Sequence, residues 1–282
     1  MLHRVSLVVV VVMVLRWTGA AWAAGVEPLG RIEASGGAEK EDGARAGGRG
    51  SLELLGVLPI GDHFGIQSIG HYVGGSGSRF GLSAGPLIDW GAGKVGFFAA
   101  YQYRSHNDTN LVHLRPSASF YLPQGNINLF YSHPVYSSER EEFGVNHLQG
   151  TFSYFLAADW NSFLRKDNVE MTLGVQVNSF AGAHSGNVSN GVGPVFGFSF
   201  LPIKGLEVNL VKGTVDQHGR YRVGTGLAYN FTTIEATLKE IRRRYLEPNF
   251  FAPNGAATAR CSGNRNPAGC NLGNLGSCGC PG

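Results

Sequence analysis

Val112-His113-Leu114-Arg115-Pro116-Ser117-Ala118-Ser119-Phe120-Tyr121-Leu122 carries the pattern from which the rest of the chain can be read. Its even positions are Val, Leu, Pro, Ala, Phe and Leu, and its odd positions are His, Arg, Ser, Ser and Tyr. Side chains alternate across a β-strand, so this segment has one oily face and one wet face. A slip of one residue would exchange the two faces, which fixes the register strongly.

The same pattern returns along the chain. In 171–179, Met171, Leu173, Val175 and Val177 oppose Thr172, Gly174, Gln176 and Asn178. Segments 80–90, 95–103, 152–160, 206–210 and 221–231 behave likewise, whereas 64–73 carries apolar residues on both faces. Soluble β-sandwiches also alternate, but their outward face is polar and rich in Lys and Glu. Here the wet face is small and largely neutral, and the apolar face gathers Trp, Tyr and Phe near strand ends. That is the arrangement of a wall facing lipid.

Composition points the same way. Only 15% of the residues are charged, 42 are glycine and 11% are aromatic. After residue 23 no apolar stretch approaches the ~20 residues of a spanning helix. A membrane-embedded chain of this kind must therefore form a closed barrel, which satisfies every backbone group in lipid. Residues 1–23 hold two of the 23 Lys and Arg and no Asp or Glu, which leaves 21 basic against 20 acidic residues. This near-neutral balance gives no reason to expect nucleic acid as a partner.

Residues 1–23 read as a signal peptide: His3 and Arg4 precede an apolar run to Leu15, and Ala21-Trp22-Ala23 offers a small-x-small cleavage site. The plainer alternative is an uncleaved anchor, although Arg16 cuts the apolar run short. No Cys follows the site, which argues against a lipoprotein.

Tight connections are expected at Gly61-Asp62-His63, Gly91-Ala92-Gly93-Lys94, Pro123-Gln124-Gly125, Arg165-Lys166-Asp167-Asn168 and Pro202-Ile203-Lys204-Gly205. Those between them, at 74–79, 105–110, 136–149, 181–193 and 214–220, read as longer or more polar. Eleven strands fit between 51 and 231, and parity asks for a twelfth at 26–34, where Val26, Ile32 and Ala34 share a face, with 35–50 as its loop. The domain scheme is a signal peptide at 1–23, a barrel at 24–231, an amphipathic helix within 232–248 and a disordered tail at 249–282.

The helix is read from Thr232-Thr233-Ile234-Glu235 as a capping box, with Ile234, Leu238, Ile241 and Tyr245 at helical spacing and Pro248 as a stop. It carries Arg242, Arg243 and Arg244. It can plug the barrel, lie on a membrane surface or dock a partner; a solvated cap against the rim is the plainer reading. The tail is rich in Gly, Asn and Ala and holds all four cysteines, Cys261, Cys270, Cys278 and Cys280. In an oxidising compartment they are expected to form one or two disulfides. Their C-x8-C-x7-C-x-C spacing lacks the close pairs of a zinc site, so no metal is expected.

Catalytic signals are thin. Gly91-Ala92-Gly93-Lys94-Val95-Gly96 matches G-x-G-x-x-G but joins two strands, so it reads as a turn and implies no dinucleotide cofactor. No cofactor of any kind is expected. His184-Ser185-Gly186-Asn187 is somewhat similar to outer-membrane lipid deacylases and phospholipases, but adjacent residues on a strand point to opposite faces. A polar loop is the plainer account. Glu139, Glu141 and Glu142, with Arg140 and His147, read as solvated loop surface, with weak cation binding as the sharper alternative.

Gly224-Thr225-Gly226-Leu227-Ala228-Tyr229-Asn230-Phe231 ends the alternating region. Gly226, Tyr229 and Phe231 resemble the closing strand of bacterial outer-membrane β-barrels. The resemblance covers about 26–231 and implies an all-β, antiparallel transmembrane barrel of the Gram-negative-type outer membrane, with short turns facing the periplasm. It further implies outer-membrane lipid and the barrel-assembly machinery as partners, Gly226, Tyr229 and Phe231 being the assembly signal. On this reading Asp89, Gln102, Arg104, His113, Arg115, Glu170, Gln176, Glu207 and Arg222 line the lumen. The leading functional expectation is a narrow, porin-like passive pore for transport of small polar solutes, or a structural envelope protein. A barrel-embedded lipid hydrolase and a surface adhesin or receptor are the alternatives. Mixed charges inside a small barrel can equally pair and seal it.

Overall fold

In the computed structural model, the described residues are 29–40, 46–75, 78–105, 109–138, 142–161, 164–180, 191–217, 219–231, 236–246 and 258–260. Residues 1–23, read above as a signal peptide, the segment holding His184, Ser185 and Asn187, the acids at 139 and 141, and the four cysteines lie outside them.

Twelve strands run in sequence: β1 (Leu29–Lys40), β2 (Gly47–Ile60), β3 (Phe64–Gly74), β4 (Arg79–Asp89), β5 (Gly93–Arg104), β6 (Thr109–Leu122), β7 (Gly125–Ser137), β8 (Glu142–Phe155), β9 (Val169–Phe180), β10 (Gly191–Ile203), β11 (Leu206–Val215) and β12 (Tyr221–Phe231). Each pairs antiparallel with the next, and β1 closes the sheet against β12 from Gly30↔Phe231 to Lys40↔Tyr221. The result is a closed barrel with no open edge, the only strand arrangement that lipid tolerates. A helix, α1 (Leu238–Arg244), follows the closing strand, and a short β13 (Thr258–Arg260) pairs with the first residues of β8.

Alternation of burial follows alternation of sequence. On β6, His113, Arg115, Ser117 and Ser119 are buried, while Phe120 and Leu122 are exposed on the outer face. Phe97, Leu173, Leu210 and Leu227 are likewise large apolar residues turned outward. Near the tight turns Trp90 meets Phe120 edge-on at 5.9 Å and Tyr229 meets Phe231 at 5.2 Å. Paired aromatics at that level are how a barrel marks the lipid boundary.

Glycine makes three of the tight turns possible, because Gly61, Gly91 and Gly205 adopt φ between 73° and 82°. Gly91 lies in the turn between β4 and β5, as the reading of its G-x-G-x-x-G stretch as a turn requires.

Strand boundaries differ from the sequence reading in an informative way. The first strand is Leu29–Lys40 rather than 26–34, and β2 begins at Gly47 rather than 51. Segment 35–50, expected as a loop, is largely a paired hairpin that runs as far as Glu39↔Gly47. Similarly, β7 and β8 consume most of the expected loop 136–149, so His147 sits in a strand. Apolar alternation stops where lipid stops, but backbone pairing continues into water, and polar or glycine-rich hairpin ends carry no alternation to read. One connection is longer than expected: β8 ends at Phe155, and the described residues of 156–168 form a loop before β9. It lies at the same end of the barrel as α1.

Candidate functional site: a divided barrel interior

The interior has two zones. At the end of the tight turns, α1 enters the barrel. Its N-cap is Thr237, whose hydroxyl accepts from Glu240 N while the Glu240 carboxylate accepts from Thr237 N. The helix therefore begins later than the expected box at 232–235. Residues of the 156–168 loop hold its first turn: Leu238 N donates to Asn168 Oδ1 at 3.1 Å, and Lys239 N donates to the Asp167 carbonyl at 3.0 Å.

Leu238, Ile241, Tyr245 and Leu246 are buried and form one apolar cluster with Leu55, Val57, Ile69, Leu87, Phe98, Phe155 and Leu201 from the barrel wall. This overturns the plainer expectation of a solvated cap. It also explains why 64–73 shows apolar residues on both faces: Ile69 points inward because it meets the helix cluster rather than water. Beyond the helix, Leu246 N donates to Gln67 Oε1 at 2.9 Å, and Gln67 Nε2 donates back to the Leu246 carbonyl at 2.8 Å. Gly96 leaves room for this segment, since a Cβ there would lie 2.7 Å from a Leu246 methyl.

Arg242 is the polar centre of the zone. Its Nε donates to Glu170 Oε2 at 2.7 Å, and its two terminal nitrogens donate to the two oxygens of Glu207 at 2.7 and 3.0 Å. Arg31 also donates to Glu207, at 3.0 Å, and pairs with Glu33. Lys212 stands 3.9 Å from Glu207. Arg31, Lys212 and Arg242 thus offset Glu33, Glu170 and Glu207, and the turn-end network is balanced. Arg243 sits over the Tyr121 ring at 5.0 Å and donates to the Leu122 carbonyl. Together the wall residues of β2 to β12 surround the helix segment on all sides.

The other zone, towards the loop end, holds no helix among the described residues. Gln102, Arg104, His113, Arg115, Gln176 and Arg222 are buried there on inward positions, with His71, which the sequence reading did not select, and His147, which it placed on solvated loop surface. Glu39 accepts from Arg222 at 2.7 Å and Arg49 at 3.1 Å, and lies 3.4 Å from Arg79. Among the described residues, Arg49, Arg79, Arg104, Arg115 and Arg222 stand against Glu39 and Glu53, an excess of three positive charges. At the rim Asp216 pairs with Arg220. His71 Nε2, His113 Nε2, Arg115 Nε, Gln102 Oε1 and Gln176 Oε1 are buried without a hydrogen-bond partner among the described residues. Polar atoms of that kind are completed by water or solute.

The sequence-derived residues therefore separate into groups. Glu170 and Glu207 belong to the helix latch, and Gln102, Arg104, His113, Arg115, Gln176 and Arg222 to the polar zone. Asp89 lies at the turn, where it accepts from Gly91 N and pairs with Lys94 at 3.4 Å. On β12, Gly226 packs against β1, and Tyr229 and Phe231 are exposed on the outer face. Arg31, Glu33 and Arg242 were missed, although Ile32 and Ala34 on one face place Arg31 and Glu33 on the other.

This is the fold of an outer-membrane channel barrel. The chain is similar to a structure of the KdgM porin, with a TM-score of 0.50 and 12% identity over 72% of this chain and 99% of that one. It is similar to the NanC porin, with a TM-score of 0.51 and 9% identity over 71% of this chain and 100% of the other. An outer-membrane channel from Pseudomonas putida F1 gives 0.54 and 11% over 72% and 95%. No family model matches the chain, and no curated protein matches it in sequence.

Proposed function

We propose that the protein is a narrow passive pore of a Gram-negative-type outer membrane, admitting small polar solutes and favouring anions. The observation that carries this reading is the excess, among the described residues, of three guanidinium charges in the loop-end zone of a closed barrel, beside buried polar atoms that no described protein group completes. Clusters of basic side chains in a pore lower the barrier for anions. The similarity in fold to the KdgM and NanC porins supports a channel role. Both chain termini of the barrel lie at the turn end, which we assign to the periplasm, with residues 1–23 as the export signal and Gly226, Tyr229 and Phe231 as the assembly signal.

The test is planar-bilayer recording of the refolded mature chain, with heat-modifiable gel migration as the check on folding. Discrete current steps are expected. A folded barrel that stays silent, both as the wild type and when its helix is displaced, would contradict the pore and favour a structural envelope role.

A further inference from the structure

Resting on the pore reading, we propose that α1 is the channel's own plug, seated at the turn end and latched by Arg242 on Glu207 and Glu170. Three observations carry this. First, the plug is complete in cross-section: apolar contacts come from β2, β3, β4, β5, β8 and β10, and polar ones from β3, β6, β7, β9, β11 and β12. A solute leaving the loop-end zone meets Leu238, Ile241, Tyr245 and Leu246, all at most 4% exposed.

Second, the segment is not part of the wall. It begins after β12 has already closed the barrel on β1, so displacing it breaks no strand pairing. Third, its attachment has an electrostatic centre with a defined sign. Glu207 and Glu170 belong to the wall and Arg242 to the helix, so the barrel presents carboxylates to a segment that supplies the guanidinium. Arg31 and Lys212 leave the site balanced only while Arg242 is present; without it, three carboxylates face two bases.

The sign makes the latch testable in the full chain. Arg242→Glu adds a fourth carboxylate to Glu33, Glu170 and Glu207, with only Arg31 and Lys212 left to offset them, and removing one partner of a buried pair is strongly unfavourable. The helix should leave its seat. Arg242→Lys keeps the charge and loses the fork. Ile241→Asp attacks the seat through its apolar contacts and leaves the carboxylates alone. Each variant is refolded, checked by heat-modifiable migration, recorded in bilayers and treated with trypsin, which cuts after Arg243 and Arg244, common to all of them, when they are released.

The wild type should resist trypsin in this segment and open rarely. Arg242→Glu and Ile241→Asp should be cut there and show open times longer by roughly tenfold or more, with Arg242→Lys between. Equal currents in the wild type and in a trypsin-sensitive variant would overturn the plug while leaving the pore intact. Trypsin-sensitive variants without any current would overturn both. Should Arg242→Glu fail to fold, Ile241→Asp decides the same question.

Discussion

The guanidinium of Arg242 forks across the carboxylate of Glu207, with Nη2 2.7 Å from Oε1 and Nη1 3.0 Å from Oε2, although 35 positions separate them. One residue follows the closing strand and the other is the second residue of the strand next to it. Both side chains are at most 2% exposed. Two-point pairing of this geometry is the strong form of a charged hydrogen bond, and burial makes each partner depend on the other.

Glu207 is the better place to measure that dependence, because Arg31 and Arg242 both donate to it. Glu207→Gln should lower barrel stability by about 3–5 kcal/mol, read as an earlier urea or thermal transition of the folded band. Glu240→Gln, at the exposed helix cap, should cost at most about 1 kcal/mol. Equal effects would mean that the interior network is not holding the helix.

Gly96 tests the seat by shape alone. Its missing Cβ would stand 2.7 Å from a Leu246 methyl and 2.6 Å from the Phe98 ring. Gly96→Val should therefore lift the segment after α1 and expose Arg243 and Arg244 to trypsin, with the barrel still folded. Unchanged protection would show that Leu246 can move aside without loss of the seat.

Phe231 and Phe120 form a matched pair for the assembly signal. They are 44% and 43% exposed, and each meets one aromatic neighbour edge-on. Phe231→Ala should reduce the amount of inserted barrel in cells more than Phe120→Ala, since only Phe231 ends the closing strand. Equal surface levels would reduce Phe231 to an ordinary lipid contact.

What the sequence made legible follows from where each signal comes from. The register of β6 could be read because lipid selects Val112, Leu114 and Phe120 on one face, leaving His113 and Arg115 on the other. The reach of β1 to Lys40 could not, because Gly36, Gly37 and Glu39 pair above the lipid level, where neither face is selected. The helix at Ile241 was visible from its spacing, but its burial was not. In the run Arg242-Arg243-Arg244 each arginine looks alike, yet Arg242 enters the interior and Arg243 lies on Tyr121. Their fates are decided by Glu207, Glu170 and Tyr121, which only the closed barrel brings to them. Ile69 carried a faint trace, an inward apolar residue where water would favour a polar one.

The anion-preferring pore is tested most directly by the reversal potential across a salt gradient. It should be measured for the wild type and for the chain carrying both Arg104→Glu and Arg115→Glu, with the exposed turn variant Lys204→Glu as control. The wild type should be anion-selective, the double variant should move towards cations because the basic excess is reversed, and Lys204→Glu should leave the potential near its original value. A conducting double variant with unchanged selectivity would contradict the account, since ions would then cross without passing Arg104 and Arg115.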